Sequence, residues 1–249
     1  MSIPSNIVSI MNPTIPIDQS IYEQSSTAKT KVGTRLVVGD RVFRYARLAT
    51  SANAAAAGIL CVPTVIASHQ DAILTISAQT AGATFLTCSA SAGNEFTTNQ
   101  YAEGYVSVGS TALGGGGYLY RVKSHTAGAQ VAFTLYDRVA ASVGAGPASL
   151  TPSLYSRVLQ GNAVTDLVAG VAPCAVTTGN YFWLQTYGPA AVKASTAIGA
   201  GIGLCLGVSG GAAGFLTIAA LTGGGNFIGK AIGVTVESHA ANVFLTVNP

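Results

Sequence analysis

The sequence predicts an all-β protein made of antiparallel β-sandwich or barrel lobes, preceded by an extended N-terminal arm. Three observations carry this expectation. From Val176 to Ala190 the chain reads VTTGNYFWLQTYGPA; Tyr181, Trp183, Gln185 and Tyr187 share one face of a strand, and Phe182, Leu184 and Thr186 share the other. Both faces are therefore built to be covered, with the Gly188-Pro189 pair closing the strand. Upstream, short runs of alternating side chains are separated by Gly, Ser, Thr and Asn, as in antiparallel sandwiches and barrels. Downstream, glycines alternate with apolar residues from Gly199 to Gly207, a texture that disfavours helix and suits packed strands.

Residues 1–30 contain Pro4, Pro13 and Pro16 and no period of either 2 or 3.6, which predicts an extended arm. The arm is too apolar for a solvated tail, and Ile7, Ile10, Ile15, Ile17 and Tyr22 are its candidate contacts with a neighbouring subunit or partner. A first β lobe is expected over 31–140. It opens with a hairpin, Thr34 to Val38 and Arg41 to Ala46 around Gly39-Asp40, and continues with strands at Ile59 to Ile66, Ala72 to Ser77, Thr84 to Ser89, Tyr105 to Val108, Tyr118 to Lys123 and Gln130 to Tyr136. The Ala-rich stretch 51–58 has no capping pattern and reads as a connection. Pro147, Pro152 and Gly144-Ala145-Gly146 predict an irregular connection over 141–167. A second, glycine-rich lobe is expected over 168–249, with strands at Ala231 to Glu237 and Ala241 to Val247.

Charge is scarce. Only 8% of the 249 residues are Asp, Glu, Lys or Arg, against roughly 25% in an ordinary soluble domain. With a mean hydropathy of +0.46, such a surface calls for cover by other copies of the chain or by a partner. The net charge of +3 is too small to suggest nucleic-acid binding. Six of the twelve basic residues nevertheless fall between Lys29 and Arg47, where Asp40 is the only acid. In the second hairpin strand Arg41, Phe43, Tyr45 and Arg47 face one way, and Val42, Arg44 and Ala46 the other. Arg41, Arg44 and Arg47 are thus candidates for gripping an acidic partner surface, and cation–π pairing within the chain is the plainer alternative.

No pattern for chemistry survives inspection. Gly224 to Lys230 satisfies GxxxxGK, but Ala231 replaces the Ser or Thr that would ligate magnesium, and a strand-like stretch replaces the helix a phosphate loop requires. Cys61, Cys88, Cys174 and Cys205 lack ligand spacing and sit among apolar or small neighbours, so they read as buried reduced thiols rather than a metal site. His69, His125 and His239 fall at separate turns or strand ends with no nucleophile motif nearby, which reads as surface decoration. No catalytic residue, metal or other cofactor is expected. The uncharged run between Lys193 and Lys230 is too glycine-rich for a spanning helix, so no membrane association is expected. The first residues carry no secretory signal pattern, which points to synthesis in the cytoplasm.

The segments GTRLVVGDRVFRYARL (33–48), GYLYRVKSH (117–125) and GNYFWLQTYGPA (179–190), in that order, resemble parts of the head decoration, or cement, proteins of tailed bacteriophages. The resemblance covers roughly 33–190; residues 191–249 have no counterpart in it. It implies a β-rich protein that sits as a trimer on the outside of an icosahedral head and clamps neighbouring copies of the major capsid protein. On that reading Tyr181, Trp183 and Tyr187 are candidates for the interface between copies. The alternatives are another phage structural subunit (shell, tail or fibre) or a carbohydrate-binding or hydrolytic surface module, for which Trp183 and Tyr187 are the first candidates for sugar stacking.

Overall fold

The structure, a computed structural model, describes residues 18–50, 55–64, 66–70, 74–109, 116–161, 167–207, 215–218, 227–236 and 239–248. Among them it is all-β. The chain forms two compact units, one comprising Met1–Thr64 with Leu154–Pro249 and the other Val65–Ser153. These boundaries differ from the expected lobes, because the second unit is an insertion in the first rather than its neighbour in sequence.

The chain enters the larger unit through β1 (Gln24–Ser25) and the hairpin β2 (Arg35–Val38) and β3 (Arg41–Arg47), followed by β4 (Leu60–Pro63). The hairpin has the expected turn, with Gly39 at φ 63°. Residues from Gln19 onward are not a free arm. The Gln19 side chain accepts from Tyr45 Oη (2.7 Å) and donates to the carbonyls of Glu23 (2.8 Å) and Tyr181 (3.1 Å), which anchors the segment to the sheet. Arm residues 1–17 lie outside the described residues.

The inserted unit is a closed six-stranded barrel. Its strands are β5 (Thr75–Ile76), β6 (Phe85–Ser89), β7 (Tyr105–Val108), β8 (Leu119–Ser124), β9 (Gln130–Leu135) and β10 (Gly146–Thr151), in the order β10-β5-β6-β9-β8-β7. Alternation fills it: Leu86 and Cys88, Val106 and Val108, Tyr120 and Val122, and Val131, Phe133 and Leu135 all point inward. The expected irregular connection over 141–167 instead contains β10. Its first two residues pair with β5 and its last four with β7, so this strand closes the barrel. Pro147 sits at that change of partner, where its carbonyl accepts from the Gly109 N–H at 2.9 Å.

The chain returns to the larger unit with β11 (Val158–Gln160), β12 (Gly170–Val171), β13 (Tyr181–Lys193), β14 (Gly203–Gly207), β15 (Phe215–Ile218), β16 (Phe227–Ala231) and β17 (Ala240–Thr246). With β1 to β4 they form one curled eleven-stranded sheet. Its organising strand is β13, and it does not stop at Gly188-Pro189. It pairs with β3 through Tyr187, then with β17 from Tyr187 to Lys193. Gly188 makes this possible at φ 86°, where an added Cβ would collide with the Asp40 carbonyl. Phe182 and Leu184 fill one core cluster and Trp183 another with Leu36, Phe43 and Tyr45, while Val192 belongs to a third. The expected strand at Ala231 to Glu237 is replaced by β16, which ends at Ala231; among the described residues 232–236 Thr235 makes a bridge, to Ile198, and Glu237 lies outside the described residues.

Candidate functional site

The basic hairpin and the end of the entering segment meet on the larger unit. Tyr22 is 60% exposed, and Arg41 donates from Nη1 to its hydroxyl at 3.2 Å. The Arg41 guanidinium also lies 5.5 Å from the Phe43 ring centre, and that of Arg47 lies 5.4 Å from Tyr181. Arg47 Nε is spent on the Gly179 carbonyl at 3.0 Å. Cation–π pairing within the chain, the plainer expectation, thus accounts for two of the three arginines. Arg44 reaches the Gly33 carbonyl with Nη1, whereas its buried Nε meets no acceptor.

The three aromatic candidates on β13 have separate fates. Trp183 is wholly buried, with Nε1 donating to the Gln19 carbonyl at 3.2 Å and Tyr45 edge-on at 4.9 Å. A ring with no exposed area has nothing to offer a second copy or a sugar. Tyr181 and Tyr187 are half-buried, the first stacked on Tyr45 and the second edge-on to Phe244. Ile7, Ile10, Ile15 and Ile17 lie outside the described residues.

Tyr22 and Arg41 open onto a cleft of about 580 Å³ in this unit, within the range of small-ligand and peptide sites. Its floor is empty because three segments contribute minimal side chains there: Ala57 and Gly58, Ala190 and Ala191, and Ala240. Val171, Pro173, Pro189 and Ile232 supply apolar walls, and Gln185 and Asn242 supply polar edges. The Gln185 amide is occupied, donating to the carbonyls of Tyr187 (3.2 Å) and Pro189 (2.7 Å), which steadies the strand at its change of partner. The two charged residues on the lining are cations, Arg41 and Lys193. The Lys193 ammonium rests 5.8 Å from the Phe215 ring centre. Neither has a carboxylate within ion-pair distance among the described residues, where Lys29–Asp18 and Arg121–Glu103 are the pairs formed.

Ile232 also begins an exposed row. Ile232, Val234 and Val236 are 54%, 79% and 58% accessible, while Thr235 between them is buried. Three exposed β-branched side chains within five residues, the first of them on the cleft lining, make a surface that water covers poorly.

Two arrangements in the barrel unit escaped sequence reasoning. His69 and His125 are buried, not surface decoration. They surround Tyr101 together with Phe96 and Phe133, the four rings lying 5.6–6.3 Å from it by ring centres, and His125 and Phe133 lie 4.3 Å apart. Tyr101 Oη lies 2.5 Å from His69 Nδ1, and His69 Nε2 lies 2.8 Å from the Asn94 carbonyl. On the outside, Glu103 accepts from Arg121 (2.6 Å) and from Tyr136 Oη (2.5 Å), and the bond to the carboxylate, ahead of burial, raises the Tyr136 pKa. Of the thiols, Cys61, Cys88 and Cys205 are buried and Cys174 is partly exposed; all four are reduced. Among the described residues no group of three His, Cys, Asp or Glu side chains is placed to hold a metal, and no helix is long and apolar enough to cross a membrane. The last four residues of the GxxxxGK match, Phe227 to Lys230, lie in the strand β16, with Gly229 paired to Leu245.

No protein-family profile matches the chain, and no curated protein or solved structure matches it at a significant level.

Proposed function

We propose that this chain is a structural virion protein, a capsid decoration or cement protein that binds the outside of a tailed-phage head and stabilises it by clamping neighbouring subunits of the major capsid protein. It acts as a closed homo-oligomer, a trimer, without catalysis, cofactor or nucleic acid. The supporting observation is the exposed row Ile232, Val234 and Val236 on a chain with 8% charged residues: such a surface gains free energy chiefly by being covered. The resemblance of 33–48, 117–125 and 179–190 to decoration proteins names the cover. A modest interface repeated over a symmetric shell gives a large total grip through multivalency.

The test adds the purified chain to bare expanded heads and follows their resistance to heat. Binding at stoichiometric occupancy with raised resistance is expected; no binding and unchanged resistance would remove the proposal. Assembly of the chain alone into shells or tubes would instead favour a major structural subunit.

A further inference from the structure

The cleft described above carries two cations, Arg41 and Lys193, that no carboxylate among the described residues neutralises. We infer that it is a carboxylate-binding groove, and that its ligand is an extended peptide segment presenting one Glu or Asp among apolar residues. Arg41 is held in place from two sides, by the Tyr22 hydroxyl and the Phe43 ring, so its guanidinium is ordered before any ligand arrives. Nη1 donates to Tyr22, and among the described residues the rest of the planar fork is left for a carboxylate. Lys193 is steadied by the Phe215 ring and adds a second positive charge on the same lining.

The rest of the lining selects the ligand. Pro189, Ile232 and the alanine floor accept apolar side chains, and a bare inorganic anion would leave them wet. Among the described residues no helix N-terminus lines the cleft, and its cations come from single residues, which suits one carboxylate better than a phosphate group. The inference goes beyond the capsid reading and does not require it: the groove has this chemistry whichever particle supplies the peptide.

The test uses the full chain and a fluorescein-labelled hexapeptide with one glutamate among valine and proline residues, read by anisotropy. The expected result is saturable binding that weakens with added salt, about tenfold loss when the glutamate is replaced by glutamine, and a comparable loss in Arg41→Gln and in Lys193→Gln, as expected for a charge-assisted bond. Unchanged Trp183 emission in both variants checks that the unit remains folded. Equal binding of the glutamate and glutamine peptides, no binding of either, or wild-type affinity in both variants would overturn the inference. A chain that binds the peptide but not expanded heads would defeat the capsid proposal and leave this one standing.

Discussion

His125 is held as one neutral tautomer by its neighbours. The Thr126 carbonyl can only accept, so Nδ1 donates to it at 2.8 Å, and the Tyr101 N–H can only donate, so Nε2 accepts from it at 3.0 Å. Burial lowers the His125 pKa, partly opposed by the bond to Thr126. The unfolded chain therefore takes up a proton first, near the ordinary histidine value of about 6.5, and the barrel unit loses stability as pH falls from there toward the depressed folded value. Hydrogen exchange of barrel amides, compared between pH 7.5 and 5, should show the loss, and His125→Asn should flatten it. A pH-independent barrel would contradict the assigned bonds. The thiols make a second test at this scale. Burial pushes the Cys61 and Cys88 thiols up to about 12 and raises that of Cys174 as well, but only Cys174 offers exposed surface. Under native conditions N-ethylmaleimide should modify Cys174 well before the other three, as read by peptide mass spectrometry.

Among the elements, β13 joins the larger unit together because it changes partner in mid-strand. Gly188 is where the change occurs, and its positive φ and contact with the Asp40 carbonyl leave no place for a side chain. Gly188→Ala should cost about 2–4 kcal/mol, combining left-handed strain with displacement of the β2–β3 turn. Urea unfolding followed by Trp183 emission measures it, and an unchanged midpoint would show that the strand does not depend on this residue. The exposed row beyond β16 is also an element-scale feature. The strand ends at Ala231, with the Ile232 N–H still bonded to the Asn242 carbonyl at 2.8 Å, and beyond it Ile232, Val234 and Val236 face water.

The whole molecule is a β-sheet unit interrupted by a barrel. The insertion departs from a hairpin: Pro63 pairs with Val158, and Thr64 N–H donates to the Arg157 carbonyl at 3.1 Å. The two ends of the insert are thus anchored on adjacent strands of the larger unit, and a short link satisfies them as well as a long one. Replacing residues 65–153 with a short glycine–serine linker should leave the larger unit folded, with cooperative unfolding and the buried emission of Trp183, the chain's only tryptophan. Loss of that emission would show that the larger unit needs the barrel.

Period-two runs such as Gln130–Leu135 and Tyr105–Val108, together with the paucity of helical patterns, were enough to predict an all-β chain, because side-chain alternation in a strand is a local property. The hairpin at Gly39-Asp40 and the central place of β13 were legible for the same reason. The rest depends on neighbours distant in sequence. Gly146-Pro147 reads as a break until β5 and β7 supply partners on either side, and Trp183 reads as an interface residue until Gln19 and Tyr45 cover it. The cleft draws on residues from Tyr22 to Asn242, most of them small and unremarkable where they stand. Its existence is decided only when three distant segments leave the same space unfilled, with Arg41 and Lys193 beside it and no acid between them; no local pattern records a void, because a void is made by what several segments jointly lack.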